Sequence, residues 1–247
     1  IRENLTDFRS IMSIETEFVD PEIVYLRLTT SFNLDSTLST LNSEQYKQEI
    51  SDLISTYFLT ELDTFGSIFR RSNLLSRIDD YSPAILNSKM SVVAQRQLNI
   101  RSYFDEVDEY HQTAGTTAPD FIERDITVNF PFLLATPDKD DHVIITSPFR
   151  YFNQNAIIKN ELGSYKLQVF DMSGNVLVSN VGDYQPANGE VNFRAWRMER
   201  DTVDIIKVTA TPANQSTITP LRNYLFELDD DSIVMVNVER DGTKVLL

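Results

Sequence analysis

Histidine could supply acid–base catalysis or metal binding, and the chain contains two, His111 and His142. A zinc site needs three or four histidine, cysteine or carboxylate ligands at characteristic spacings. Neither histidine has a second histidine at such a spacing, and the chain has no cysteine. His111 lies in an acidic, polar run, and His142 follows Asp140 and Asp141 where a turn is expected. We interpret both as surface or turn residues and predict no metal site.

Carboxylates form two dense clusters in the sequence, at 105–109 and at 229–231. A glycosidase needs two carboxylates in different environments within one cleft. Carboxylates that are contiguous in sequence normally share one solvated environment instead. A calcium loop needs alternating oxygen ligands, a glycine at the turn and a closing glutamate, and 229–231 lacks that pattern. Solvated acidic surface is therefore the favoured interpretation of both clusters.

Motifs for nucleophilic catalysis and phosphate binding are missing from the sequence. The absence of cysteine removes thiolate nucleophiles and disulfides. No Gly-x-Ser-x-Gly elbow occurs, and the 7 glycines assemble no phosphate-binding loop. A Ser-His-Asp catalytic triad remains an alternative, because its members need not be close in sequence. The residues thus favour a protein that is not an enzyme and that has no cofactor.

The densest basic spot is Arg70-Arg71, followed along the chain by Arg77. It is either a solvated helix face or a docking patch for an acidic partner. A second copy of this chain would be such a partner, because its net charge is −15. Ile68 and Phe69 lie beside the arginines, and patches that mix aromatic residues with arginine favour interfaces. Phe69, Arg70 and Arg71 are therefore candidate interface residues.

The single tryptophan, Trp196, lies in a predicted strand. Strand alternation places Phe193 and Ala195 on one face and Arg194 and Trp196 on the other. Core or interface packing is the favoured role, which makes Trp196 a fourth interface candidate. Stacking on a sugar ring is the alternative.

Composition limits the class of protein. The 247 residues are 41% hydrophobic and 24% charged, which suits a folded chain of one large or two ordinary domains. The negative charge disfavours binding to nucleic acid or to an anionic membrane. No apolar run approaches the roughly 20 residues that a membrane span needs. Because the sequence starts at Ile1 rather than Met, we expect a processed or partial chain.

The first half of the chain predicts a strand-helix-helix-strand unit. Alternating apolar residues from Pro21 onward indicate a strand, and Ser43 is the expected N-cap of a first helix. Gly66 is expected to end that helix and Ser67 to cap a second one. A long strand follows over 84–98. We expect both helices to lie on one face of the sheet.

The second half of the chain is predicted to be mostly β. Residues 101–120 are expected to form a loop or an arm. The predicted strands are 126–130, 142–146, 166–170, 176–179, 190–196, 204–211, 232–238 and 244–247. Turns are expected at 171–175, 188–189 and 241–242. The fold class is therefore α+β, with a β-rich sandwich or barrel after the helical unit. We predict a lead-in segment (1–20), an α+β domain (21–136) and a mostly β domain (137–247).

Three stretches resemble the C-terminal part of baseplate wedge proteins in the baseplate-J-like family of contractile-tailed, T-even-like phages. The first is DPEIV at 20–24, followed by a helix that ends near Tyr57. The second is FGSIFRRSNLL at 65–75. The third is NGEVNF at 188–193, followed by IIKVTATP at 205–212. Their order and spacing, rather than any one stretch, carry the resemblance.

The resemblance implies a structural role in the virion, at the tail baseplate. Such subunits pair through their C-terminal parts, dock neighbouring wedge proteins and build a ring around the tail hub. The implied partners are therefore further copies of the chain, as a homodimer or ring, and other wedge proteins. No catalytic, metal or cofactor residue comes with the family. The alternative classes are a carbohydrate-binding or adhesin-like β module, suggested by Trp196 and Tyr184, and, more remotely, a glycoside hydrolase.

Overall fold

The computed structural model describes residues 21–220 and 224–239, and it shows a mixed α/β protein dominated by one large β-sheet. In this part of the chain the helices are α1 (Ser43–Tyr57), α2 (Arg71–Asp79) and α3 (Ile100–Ala114), and a π-helical turn (Phe58–Leu62) extends α1. The strands are β1 (Glu22–Asp35), β2 (Phe69–Arg70), β3 (Ile85–Asn99), β4 (Phe121–Asn129), β5 (Ile144–Thr146), β6 (Phe149–Tyr151), β7 (Gln154–Asn160), β8 (Lys166–Asp171), β9 (Val176–Gln185), β10 (Glu190–Glu199), β11 (Ile205–Ala210), β12 (Thr217–Ile218), β13 (Tyr224–Leu228) and β14 (Ile233–Glu239). Among these helices, none is long and apolar enough to span a membrane.

Twelve strands form the main sheet, in the order β13-β1-β3-β11-β5-β7-β8-β9-β10-β4. β14 also pairs with β1, and β6 also pairs with β7. The neighbours β1, β3, β11 and β5 are antiparallel, whereas β13 and β14 run parallel to β1. A separate two-stranded sheet joins β2 to β12.

The strand-helix-helix-strand order is confirmed, with the short strand β2 inserted between the helices. β1 alternates strictly between buried and partly exposed residues, so one of its faces belongs to the core. The buried side chains of α1 and α2 belong to the same core, among them Ile50, Ile54 and Leu74. The predicted cap of α1 is wrong by one residue. Asn42 caps the helix, because its Oδ1 accepts from the Gln45 backbone N–H at 2.9 Å while the Gln45 Oε1 accepts from the Asn42 N–H at 3.0 Å.

The prediction of a loop or arm over 101–120 is wrong for 101–114, because α3 occupies Ile100–Ala114, and it is confirmed for the short connection 115–120. Asn99 caps its start by accepting from the Ser102 N–H at 3.2 Å, and Gly115 ends it at a φ of 66°. Ile100 and Phe104 are its buried residues. The dense acidic sequence of this segment masked its helical periodicity.

Every predicted strand between 126 and 238 overlaps an observed strand, and the predicted turn at 171–175 joins β8 to β9. The sequence pattern does not predict the strands β2, β6, β7, β12 and β13. The predicted lead-in 1–20, the turn at 241–242 and the strand at 244–247 lie outside the described residues.

Strands from both sides of Pro137 pair with each other, as β3 does with β11. The division into domains at that position stays a prediction.

The predicted turn at 188–189 requires its glycine. Gly189 has a φ of 71°, and a Cβ at this position would overlap the carbonyl oxygens of Phe130 and Phe132. The Phe130 N–H donates to the Gly189 carbonyl at 2.8 Å. The turn therefore fixes the residues after β4 against the β9–β10 hairpin.

Candidate functional site

The junction between the two helices is built differently from the prediction. Ser67 does not cap α2, because Phe69 and Arg70 first form β2, which pairs with Thr217 and Ile218. Helix α2 begins at Arg71, and the Arg71 N–H donates to the Ser216 carbonyl at 3.0 Å. The junction is therefore held by a segment that lies far away in the sequence.

Phe69 is fully buried, so the prediction that it presents its ring to another subunit is wrong. Its ring contacts the rings of Tyr57 and Phe58, with centroids 6.4 Å and 6.2 Å away. Burial raises the pKa of Tyr57, which a hydrogen bond with the Arg70 backbone partly offsets. Pairing of β2 with β12 turns the Phe69 side chain toward this aromatic cluster and leaves Arg70 exposed.

The two adjacent arginines have different surroundings. Arg70 is exposed. Arg71 is partly buried, and its guanidinium donates to the Met90 carbonyl at 3.2 Å and to the Ser216 hydroxyl at 2.9 Å. Arg77 pairs with Glu61 at 2.8 Å. Of the predicted basic spot, Arg70 is thus the member most available to a partner.

Exposed apolar side chains precede Arg70 in the sequence. Leu59 is 73% exposed, Phe65 is 60% exposed and Ile68 is 36% exposed. Apolar side chains that remain in water beside an arginine are typical of interfaces. We call Leu59, Phe65, Ile68 and Arg70 the corner surface. The sequence pattern predicts Phe69 rather than Phe65 in this role.

Trp196 is buried, and the predicted alternation around it is wrong. A β-bulge lies between Phe193 and Trp196, and Ala195 has a positive φ of 44°. The bulge brings Phe193 and Trp196 into direct contact, with ring centroids 4.5 Å apart. Tyr184 is buried as well. Neither Trp196 nor Tyr184 offers a ring to a sugar in this structure.

The acidic cluster at 229–231 is only partly solvated. Asp229 is buried, with the Lys207 ammonium 3.6 Å from its carboxylate, whereas Asp231 is exposed and lies 2.5 Å from that ammonium. The hydrogen bond from Lys207 lowers the pKa of Asp231 and raises the pKa of Lys207 itself. The cluster therefore ties the segment between β13 and β14 to β11.

The acidic cluster at 105–109 lies on α3 and helps to hold this helix against the sheet. Asp108 accepts two hydrogen bonds from Arg200, both at 2.8 Å, and Glu106 accepts one from Arg124 at 2.7 Å. The same arginines stack on aromatic residues of the helix, Arg200 on Phe104 and Arg124 on Tyr103. Ion pairs and cation–π contacts thus supplement the few buried apolar residues of α3.

Replacing Arg200 with glutamine is expected to raise the pKa of Asp108 toward its ordinary value. The hydrogen bond from Arg200 is the largest cause of the lowered pKa in the native protein. Because that pKa is lowered on folding, the pair stabilises the protein above the ordinary aspartate pKa, and this stabilisation is lost as the pH falls through the lowered value. NMR titration of the carboxyl carbon of Asp108 would measure the shift of its pKa.

Arg101→Gln is the control for this prediction. Arg101 lowers the pKa of Asp108 only through its charge and donates no hydrogen bond to it, so its loss should raise that pKa by less than the loss of Arg200 does. Titration of Asp108 that is identical in Arg200→Gln and the native protein would contradict the assignment.

The two histidines fulfil structural roles. The His111 ring lies 2.6 Å from the Thr116 hydroxyl at the end of α3, and the His142 ring donates to the Asn160 carbonyl at 2.7 Å. Within the described ranges, no group of three or more His, Asp or Glu side chains is placed to hold a metal ion.

Comparison with known proteins gives no relative of this chain. No protein-family model and no curated protein matches it.

Proposed function

We propose that the chain is a structural subunit of a contractile phage tail baseplate, that it self-associates, and that it docks neighbouring wedge proteins around the tail hub. The support is the ordered resemblance of three stretches to baseplate-J-like wedge proteins. The single observation that carries the docking role is the corner surface, where three exposed apolar side chains precede the exposed Arg70 within eleven positions of the chain.

The arrangement of the resembling stretches in space fits this proposal. The first stretch opens β1 and the last supplies β11, and both strands pair with β3. The middle stretch contains β2, which is fixed by β12 just after the last stretch. The first stretch, the middle stretch and 205–212 therefore belong to one connected unit, which includes the corner surface, whereas 188–193 contributes to β10 at the other end of the sheet order.

The finer fold that we assign to the second half is a β-sandwich. Phe149 on β6 contacts Trp196 on β10, with ring centroids 5.3 Å apart. These two strands are not hydrogen-bonded neighbours, since β7, β8 and β9 separate them in the sheet order. Facing layers with interdigitated side chains explain this contact.

Charge limits how the subunits can meet. A net charge of −15 makes two copies repel each other over most of their surfaces. Association must then come from a local apolar contact in which an arginine meets a carboxylate of the neighbour. The corner surface supplies both components, and the chain offers many carboxylates as partners.

Sedimentation velocity at micromolar concentration tests the proposal, and it is expected to show a dimer or a larger species. The double variant Phe65→Ala/Arg70→Glu should weaken association by about tenfold or more, because it removes an aromatic anchor and reverses a charge. Circular dichroism should not change, since both side chains are exposed. Arg71 is left intact, because its guanidinium has internal partners.

Met172→Ala is the matched control, since Met172 is 58% exposed on the β8–β9 turn, away in sequence from the corner surface. A strictly monomeric native chain would contradict self-association. An equal loss of association in the control and the double variant would contradict the role of the corner surface.

A further inference from the structure

A groove of about 470 Å³ lies between α3 and the start of β4. Its apolar lining includes Val107, Pro119 and Ile122, and two large aromatic side chains, Tyr110 and Phe121, also line it. We call it the α3–β4 groove. It shares no residue with the corner surface, so an inference about it does not depend on the proposed function.

The aromatic side chains of this groove are exposed to solvent. Tyr110 is 70% exposed and Phe121 is 38% exposed. Both are large amphipathic or apolar rings, the residue types that dominate the energetics of interfaces. The helix therefore buries its first turns and leaves the end of its apolar stripe uncovered by the described residues.

The groove is held in shape by contacts outside it. The Arg197 guanidinium stacks on the Phe121 ring, 3.5 Å from its centroid. The two hydrogen bonds from Arg200 to Asp108 fix the helix relative to β10. A partner would thus meet a preformed surface, and little ordering of this chain would oppose binding.

The charged side chains at the rim of the groove are two carboxylates, Glu106 and Glu123, and one guanidinium, Arg124. Arg124 forms an ion pair with Glu106, and behind the rim Arg200 forms one with Asp108. The carboxylate of Glu123 lines the groove, and its nearest cation, Arg197, is 3.9 Å away. The occupant that matches this surface is apolar and positively charged.

We propose that the α3–β4 groove docks a segment of a partner protein that presents a large apolar side chain next to lysine or arginine. The apolar side chain packs between Tyr110 and Phe121, and the basic group lies near Glu123. A second copy of this acidic chain is a poor occupant, because its net charge of −15 would oppose the approach. The rim excludes nucleic acid for the same reason.

Fluorescence anisotropy with a labelled peptide of sequence Lys-Leu-Phe-Arg-Lys tests this proposal on the full chain. Saturable binding is expected, and it should weaken as the salt concentration rises. The peptides Glu-Leu-Phe-Glu-Glu and Lys-Ala-Ala-Arg-Lys should each bind about tenfold more weakly or worse, because each loses one component of recognition. Equal binding of Lys-Ala-Ala-Arg-Lys would show charge attraction alone and would overturn the proposal.

Variants of the chain locate the binding site. Tyr110→Ala and Glu123→Lys should each weaken binding of Lys-Leu-Phe-Arg-Lys by about tenfold. Tyr165→Ala is the control, since Tyr165 is a 48% exposed tyrosine before β8, and it should bind like the native chain. Circular dichroism confirms that the variants are folded. Absence of saturable binding, or undiminished binding to both groove variants, would overturn the assignment.

Discussion

Replacing Phe69 with alanine is expected to lower the free energy of unfolding by about 3–5 kcal/mol. The side chain is fully buried, and its ring packs against Tyr57 and Phe58. Truncation would remove this apolar burial and leave a cavity that the short strand β2 cannot close, because β12 fixes its backbone. Urea denaturation followed by circular dichroism measures the loss.

Phe65→Ala is the matched control for this substitution. It deletes the same side chain four residues earlier, at a position that is 60% exposed. An exposed truncation should change the free energy of unfolding by about 0.5 kcal/mol or less. Equal stability of Phe69→Ala and Phe65→Ala would contradict the burial of Phe69.

The contrast between these two phenylalanines decides how assembly experiments can be read. Loss of association in a Phe69 variant would follow from a weakened core, even if the ring never touches a neighbour. Loss of association in a Phe65 variant with native stability would report on the surface itself. The corner surface can therefore be tested only through its exposed residues.

The parts of the fold that the sequence predicts are those governed by local periodicity. β1 alternates every second residue along its length and β3 does so from Met90 to Ala94, because one face of each strand is buried there. The turn at 171–175 is equally local, since the Asp171 carboxylate accepts from the Ser173 and Asn175 backbone N–H groups at 2.8 Å. These features need no knowledge of distant residues.

The errors arise where distant contacts or a single irregular residue decide the structure. Phe69 is buried because β2 pairs with β12, which lies near the other end of the chain. Trp196 turns inward because one bulge shifts the strand register. The groove beside α3 was missed for a different reason, since Tyr103, Val107 and Tyr110 do recur at helical spacing. The acidic residues between them concealed that signal.

Asn160 lies beside the shortest strand pairing of the main sheet. β5 and β7 share a single paired position, Ile145 with Lys159. The Asn160 side chain is fully buried, and its Oδ1 accepts from the backbone N–H groups of Val143 at 2.7 Å and Ile144 at 2.9 Å. A side-chain amide thus replaces ladder hydrogen bonds between β5 and β7, two strands of the β-rich half.

Replacing Asn160 with alanine is expected to lower the free energy of unfolding by about 2–5 kcal/mol, because two buried N–H groups lose their acceptor. Urea denaturation measures this loss. Hydrogen exchange should also quicken first at Val143 and Ile144. Asn155→Ala on the same strand is the control. Because the Asn155 side chain is exposed, its loss should change the free energy of unfolding by about 0.5 kcal/mol or less. Native stability and slow exchange at these amides in Asn160→Ala would contradict this role of the side chain. Water would then be replacing the lost acceptor, and backbone pairing alone would hold β5 to β7.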